Sequence, residues 1–318
     1  MKLAVIGTGW IVEAFVNAVA ECPNMEIAAV YSRTQERADE FASKFGIPET
    51  YTNLEVLAKS TSIDSVYIAS PNSCHFEQSI LMMQNGKHVL CEKPAATCTE
   101  EVSEMLRVAK ENNVVFLEAS KHLFSPGLEI VRSLLPKIGT IRRVSFSFNQ
   151  YSSKYDGFKQ GIVPNVFKPE LAGGALMDLG VYCVQFMVAL FGEPKDIVSS
   201  SIDLSTGADG LGAAIATYDG FLVELCYSKI SHAAVPNEIQ GEDGSLVFEH
   251  LSRMEQVDVV MRNGETRQVM CNPLKNQMIY EAQAFYDMVS DPQKAERYNK
   301  YSIMAMSVMD EIKRQQTR

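Results

Sequence analysis

The chain has 318 residues, about twice the usual length of one domain, so two domains are expected. With 46% hydrophobic and 21% charged residues, its composition is that of a folded globular protein and excludes a largely disordered chain. Its 29 Lys and Arg against 39 Asp and Glu give a net charge of −10, which argues against a nucleic-acid or anionic-membrane partner.

No apolar run approaches the roughly 20 residues that span a bilayer. Met1 to Ile6 starts basic and then apolar, as a leader peptide does, but Gly7 and Gly9 interrupt it and no cleavage site follows. The seven cysteines are scattered without a Cys-x-x-Cys pair. They read as reduced thiols of a cytoplasmic protein, not as a disulfide frame or zinc site. The five histidines (His75, His88, His122, His232 and His250) show no ligand spacing, so no metal is expected.

From the start to about residue 120, short apolar runs alternate with helical patterns. Strands are predicted at Lys2–Gly7, Met25–Tyr31, Glu49–Thr52, Ser65–Ala69, Lys87–Cys91 and Val114–Glu118. All but the third are rich in Val, Ile and Leu without polar alternation, as strands buried on both faces are. Helices are predicted at Thr34–Phe45, Ser73–Gln84 and Thr99–Asn112. Asn85-Gly86 supplies a helix stop, and Thr97 with Glu100 a capping box. This rhythm implies βαβ units and a doubly wound parallel sheet of the Rossmann type.

After about residue 122 the rhythm changes. Ser125-Pro126 reads as an N-cap followed by Pro at the first helical position. Strands are then predicted at Arg142–Asn149, Ile197–Leu204, Gly212–Tyr218, Phe221–Lys229, Ser245–Glu249, Gln256–Met261 and Thr266–Met270. Asp219-Gly220, Asp243-Gly244 and Asn263-Gly264 supply positive φ for tight hairpins, so a mainly antiparallel open sheet is expected. Helices are predicted at Gly174–Phe191, Gln277–Val289 and Tyr301–Arg314. The fold class is thus α/β, with domain 1–120 a Rossmann unit and domain 121–318 an α+β unit. The last helices are candidates to return to the first domain.

The first strand runs into Gly7-Thr8-Gly9-Trp10-Ile11-Val12 and a helix. In that context the G-x-G turn reads as a dinucleotide-binding turn. Gly7 makes the turn, and Gly9 lets backbone approach a pyrophosphate at the helix N-terminus. Val12 stands where a third glycine is usual. After the second strand come Ser32, Arg33 and Arg37 in place of an acidic residue. A hydroxyl and two guanidinium forks suit a 2′-phosphate, which predicts NADP over NAD. The alternative is a solvated helix start. Trp10 has two readings, a cover for the cofactor cleft or core packing.

The fifth strand ends in Glu92-Lys93-Pro94. Ligands of open α/β sheets bind outside the carboxyl ends of strands, so Lys93 is placed beside the nicotinamide, oriented by Glu92. Pro94 is a candidate cis proline.

Five motifs then stand in order: Gly7-x-Gly9; Ser70-Pro71-Asn72 with His75; Gly86-Lys87-His88-Val89; Glu92-Lys93-Pro94; and Gly173-Gly174-Ala175-Leu176-Met177-Asp178-Leu179-Gly180-Val181-Tyr182. Together they resemble the glucose–fructose oxidoreductase, inositol dehydrogenase and rhizopine catabolism (Gfo/Idh/MocA) family over nearly the whole chain. Tyr182 and the run to Phe186 are most similar to the dimeric dihydrodiol and xylose dehydrogenase branch. The resemblance implies oxidation or reduction of a sugar, polyol or trans-diol with NAD(P), and homodimers through the second domain's sheet. It places Ser70, Pro71, Asn72 and His75 near the cofactor, although capping or packing would equally explain His75.

The i, i+4 spacing puts Asp178 and Tyr182 on one helix face. Alcohol oxidation requires a proton to leave with the hydride, and free Tyr, with a pKa of about 10, needs a nearby cation to serve as base. Tyr182 is therefore expected to exchange the proton. Lys93 is expected to polarise the reacting oxygen and tune Tyr182, and Asp178 to position substrate or Lys93. Lys93 as the proton carrier is the alternative. Related sequences carry Arg where Leu123 and Asn165 stand, which makes Asn165 a candidate substrate residue, while His122 either lines the pocket or is a hydrogen-bonded histidine near the domain junction. Two further readings of the whole are a dinucleotide-binding regulator without catalysis and a sugar–sugar oxidoreductase with tightly bound cofactor.

Overall fold

The computed structural model describes residues 1–316, so Thr317 and Arg318 lie outside the described residues. In chain order the first stretch holds β1 (Lys2–Ile6), α1 (Trp10–Val19), β2 (Glu26–Tyr31), α2 (Gln35–Phe45), β3 (Glu49–Tyr51), α3 (Leu54–Ala58), β4 (Ser65–Ile68), α4 (His75–Gln84), β5 (His88–Glu92), α5 (Thr99–Glu111) and β6 (Phe116–Ala119). Next come α6 (Lys121–Phe124), α7 (Pro126–Leu134), β7 (Ile141–Asn149), α8 (Tyr155–Lys159), α9 (Val181–Phe191), β8 (Asp196–Asp203), β9 (Asp209–Thr217) and β10 (Leu222–Ser228). Last are β11 (Asn237–Gly241), β12 (Gly244–Phe248), β13 (Gln256–Met261), β14 (Thr266–Met270), α10 (Met278–Ser290) and α11 (Ala295–Gln316). The chain forms two compact units: Met1–Lys121 with Lys275–Ile303, and His122–Leu274 with the chain from Met304 on.

In the first unit six parallel strands lie in the order β3-β2-β1-β4-β5-β6. The order reverses at β1, where a doubly wound sheet opens its ligand crevice. Leu3 to Ile6 are buried, as expected of a central strand covered on both faces. Phe15 of α1 stacks on Tyr67 of β4 with ring centroids 3.8 Å apart. The chain's return also belongs here: α10 packs on α1, and Asn276 Nδ2 donates to the Ala14 carbonyl at 2.9 Å. Gly46 and Gly86 end their helices with φ of +67° and +75°, where a side chain would be strained. The expected Thr97–Glu100 box is corrected. Cys98 is the N-cap, and the Thr97 N–H and hydroxyl both donate to Glu101, each at 2.8 Å.

In the second unit eight strands lie in the order β14-β13-β12-β11-β7-β10-β9-β8. Every neighbouring pair is antiparallel except β7 with β10. β9 alternates buried and exposed residues, so one face packs on helix and the other is open. Val198, Ile202, Ile215 and Leu222 are exposed on β8, β9 and β10. Phe146, Phe186 and Phe248 cluster on the covered face. β11 escapes the sequence pattern because Ile239 is its sole aliphatic residue. Gly220 and Gly264 do take positive φ at hairpins, but Gly244 does not. Gly244 is needed because a Cβ there would lie 2.6 Å from the Val260 carbonyl oxygen. Ser125 takes the N-cap position of α7, yet its hydroxyl donates back to the His122 carbonyl at 3.0 Å.

The expectation of no membrane-length apolar run needs correction. Pro169–Phe191 is long and apolar enough by length and composition, but 78% of its apolar window is buried, as befits a core helix.

Candidate functional site

In the first unit the glycine turn is built as its sequence demands. Gly7 has φ of +117°, and a Cβ there would lie 2.9 Å from the Ala69 carbonyl oxygen, so only glycine fits without strain. Its N–H donates to the Tyr31 carbonyl at 3.1 Å, tying the turn to the end of β2. Gly9 is the N-cap of α1 and offers no side-chain cap. A Cβ on Gly9 would meet nothing within 4 Å, so open space lies before the first turn of the helix. Uncapped N–H groups facing such space suit a pyrophosphate. Thr8 and Ile11 flank Gly9 and Trp10 in this turn. Trp10 is 78% exposed, which rules out the core-packing reading.

Beyond β2, Ser32 is buried with its N–H on the Tyr51 carbonyl at 3.1 Å. Arg33 and Arg37 are exposed, and among the described residues no ion pair holds either guanidinium. Both stand just past the carboxyl end of β2, the strand end to which the glycine turn is tied.

Ser70-Pro71-Asn72 follows β4. Ser70 Oγ donates to Gln78 Oε1 at 2.7 Å, and a single 3-10 turn starts at Asn72. His75 is fully buried, so its ring is not open to a ligand. Its Nδ1 lies 2.9 Å from the Pro94 carbonyl and its Nε2 2.9 Å from the Ser70 carbonyl. The ring braces the loop after β4 against the loop after β5, and burial pushes its pKa down.

The Lys93–Pro94 bond is cis. Beneath Lys93, Glu92 Oε1 accepts from the Tyr67 hydroxyl at 2.6 Å and Oε2 from the Lys93 N–H at 3.2 Å. Burial raises the Glu92 carboxyl above its usual range, against the pull of Lys93 and of these donors.

In the second unit, the residues before α9 are fixed from several sides. A Cβ on Gly173 would lie 2.7 Å from the Val166 carbonyl oxygen and 2.9 Å from that of Asn165. This close approach sets the turn Asn165–Phe167, on which Asn165 is exposed. Gly174 has φ of +130°, and the Asp209 carboxylate fills the space its side chain would take. Asp209 Oδ2 accepts from the Leu176 N–H at 2.7 Å, while burial pushes its pKa up to about 6. Leu176–Gly180 is a π-helical turn, a form common at functional sites, and it carries Asp178.

Asp178 forms an ion pair with Lys229, whose side chain is 8% exposed. The sequence reading passed over Lys229. Its signal was the one that marked Lys93, a lysine just past the carboxyl end of a strand, here β10. Tyr182 is half-buried in an aromatic seat, with ring centroids 4.9 Å from His122 and 5.2 Å from Phe148. His122 is fully buried, and its ring packs against that of Tyr182.

Comparison with known proteins gives a consistent picture. The model of the oxidoreductase family with an NAD-binding Rossmann fold (GFO_IDH_MocA) matches residues 1–120, and that of the GFO/IDH/MocA C-terminal domain matches residues 135–247. The scyllo-inositol 2-dehydrogenase (NADP(+)) IolU of Bacillus subtilis is 44% identical over 99% of this chain and 97% of its own. The trans-1,2-dihydrobenzene-1,2-diol dehydrogenase of Xenopus laevis is 34% identical over 74% of this chain and 71% of its own. The crystal structure of KijD10, a 3-ketoreductase from Actinomadura kijaniata in complex with NADP and TDP-benzene, shares the fold. It has a TM-score of 0.88 at 24% identity, covering 99% of this chain and 98% of that one.

Proposed function

The chain belongs to the Gfo/Idh/MocA family of oxidoreductases, and from that premise we infer an NADP-dependent enzyme acting on a secondary alcohol or ketone of a sugar, polyol or trans-diol. The observation that carries this reading is Lys93, set past the end of β5 over a buried carboxyl that accepts its own N–H. The residues present fit the dinucleotide. Gly7, Gly9 and the uncapped N–H groups of α1 would hold the pyrophosphate, with Thr8, Trp10 and Ile11 beside it. Ser32, Arg33 and Arg37 would take the 2′-phosphate. Bound NADP supplies the hydride acceptor or donor.

The chain's own residues manage the proton. Tyr182 exchanges it with the substrate hydroxyl. Lys93, as an ammonium, polarises the reacting oxygen. Asp178, steadied by Lys229, orients the substrate hydroxyls, and Asn165 contributes to the pocket. The first unit is read as the NADP-binding domain and the second as the substrate and dimerisation domain. The exposed apolar residues of the open sheet support a homodimer. Light scattering that reports only monomers at micromolar concentration would sink that part. The seven free thiols support a reducing, cytoplasmic setting. The reading is tested by NADPH absorbance on a panel of cyclic polyols, sugars and trans-diols with NADP or NAD. Saturable turnover with a clear NADP preference is expected, and cofactor binding without turnover on any compound would defeat it.

A further inference from the structure

A second carboxyl lies buried in the first unit, behind Glu92, and the mechanism above does not use it. Glu281, on α10, is 1% exposed. Among the described residues, neither of its carboxyl oxygens has a hydrogen-bond partner of normal geometry. It interacts electrostatically with Glu92 and Tyr67, and with Lys121 through charge and backbone, although no hydrogen bond of normal geometry forms there. The two carboxyls are unequally served. Glu92 receives the Tyr67 hydroxyl and the Lys93 N–H, at 2.6 and 3.2 Å. Among the described residues Glu281 receives no donor of normal geometry, only the weaker approach of the Lys121 backbone.

A buried carboxylate without donors is among the costliest groups a fold can hold, whereas a protonated carboxyl there costs far less. Two like charges in such a site cannot both persist. The proton of the pair therefore belongs on Glu281, and the negative charge on Glu92. The other titratable groups nearby do not alter that division. Burial keeps the Tyr67 hydroxyl and the Cys91 thiol protonated. Glu118 on β6 is occupied by the Ala95 N–H at 2.8 Å and the Ser302 hydroxyl at 2.5 Å. Glu13, the acidic residue of α1, pairs with Lys44. Lys93 and Lys121 are the cations.

We propose that Glu281 is a positioning residue that stores a proton behind Glu92, so that one negative charge, not two, faces Lys93 and sets its protonation. This rests on the assignment of Lys93 above. It also extends that assignment to α10, some 190 residues further along the chain. Burial and the charge of Glu92 both push the Glu281 carboxyl well above the usual carboxylate range. As pH rises and Glu281 finally ionises, the added charge holds the proton on Lys93 more tightly.

Infrared spectroscopy of the full-length protein tests the stored proton without any substrate. At about pH 8, above the transition of Asp209, wild type should keep the C=O band of a protonated carboxyl. That band should vanish in Glu281→Gln and survive in Asp209→Asn. A wild-type spectrum without it, or one unchanged in Glu281→Gln, overturns the proposal, and the wild-type measurement stands even if the variant does not fold. The link to Lys93 is read from the pH profile of kcat/KM. Glu281→Gln cannot ionise, so its alkaline limb should fall about half a pH unit or more below that of wild type. A purely structural role would scale the rate and leave the limb in place. Loss of the band with an unmoved limb would overturn the link to Lys93. If no alcohol is turned over, the reading of function fails while the infrared result still decides where the proton sits.

Discussion

Asp209 offers a stability prediction with a computable size. Its carboxylate at the start of β9 accepts the Leu176 N–H at 2.7 Å and fills the space beside Gly174, so it anchors the segment that carries Asp178 and Tyr182. Burial raises its pKa from 3.8 to about 6 in the folded chain. Between those values the folded state binds more protons than the unfolded one, so stability falls as pH rises and levels off above about 6. At 1.36 kcal/mol for each pH unit, the interval is worth about 3 kcal/mol. Asn at this position can still accept the Leu176 N–H but does not titrate. The stability difference between Asp209→Asn and wild type should therefore move by about 2.4 kcal/mol in the variant's favour from pH 4 to pH 7. Hydrogen exchange of the Leu176 and α9 amides, with both proteins compared at each pH, measures this locally. A difference that stays constant across that range would refute the reasoning.

The other predictions concern individual contacts. Arg33→Ala and Arg37→Ala should each raise the Michaelis constant for NADP about tenfold, the worth of one charge-assisted contact, while that for NAD moves less than about twofold. Equal changes for both cofactors in steady-state assays would remove the 2′-phosphate assignment. Lys229→Met takes the counter-ion from a partly exposed carboxylate, so denaturation should show a loss of about 1–2 kcal/mol, with kcat/KM down about tenfold. Unchanged kinetics would detach the pair from the site. Trp10→Ala should alter stability by less than about 0.5 kcal/mol, because an exposed ring contributes little to a core, and should weaken NADP binding in a titration. A loss beyond about 1.5 kcal/mol would return Trp10 to a structural role.

Some of this was legible in the sequence because the constraint is local. Gly7 and Gly9 sit between a strand and a helix, and the backbone there admits no side chain or needs none. β1, β4 and β5 declare themselves by unbroken apolar runs. Lys93 is visible from its place at a strand end. What stayed hidden depends on partners far along the chain. Asp178 and Lys229 are 51 residues apart and meet only when β10 lies beside the π-helical turn. Asp209, Glu281 and β11 carry no local pattern. Gly244 followed a hairpin motif, yet its reason is the closeness of β13. Thr97 was matched with the wrong glutamate because Glu100 and Glu101 are neighbours and only the fold chooses between them.

The central claim is that Lys93 and Tyr182 carry proton and oxygen chemistry for NADP-linked alcohol oxidation. It is tested most directly by following NADPH formation from NADP and an accepted polyol in wild type, Lys93→Ala and Tyr182→Phe. The account predicts turnover in wild type and at least about a hundredfold lower kcat in each variant, with both still folded and binding NADP. Near-wild-type kcat in either variant would contradict it.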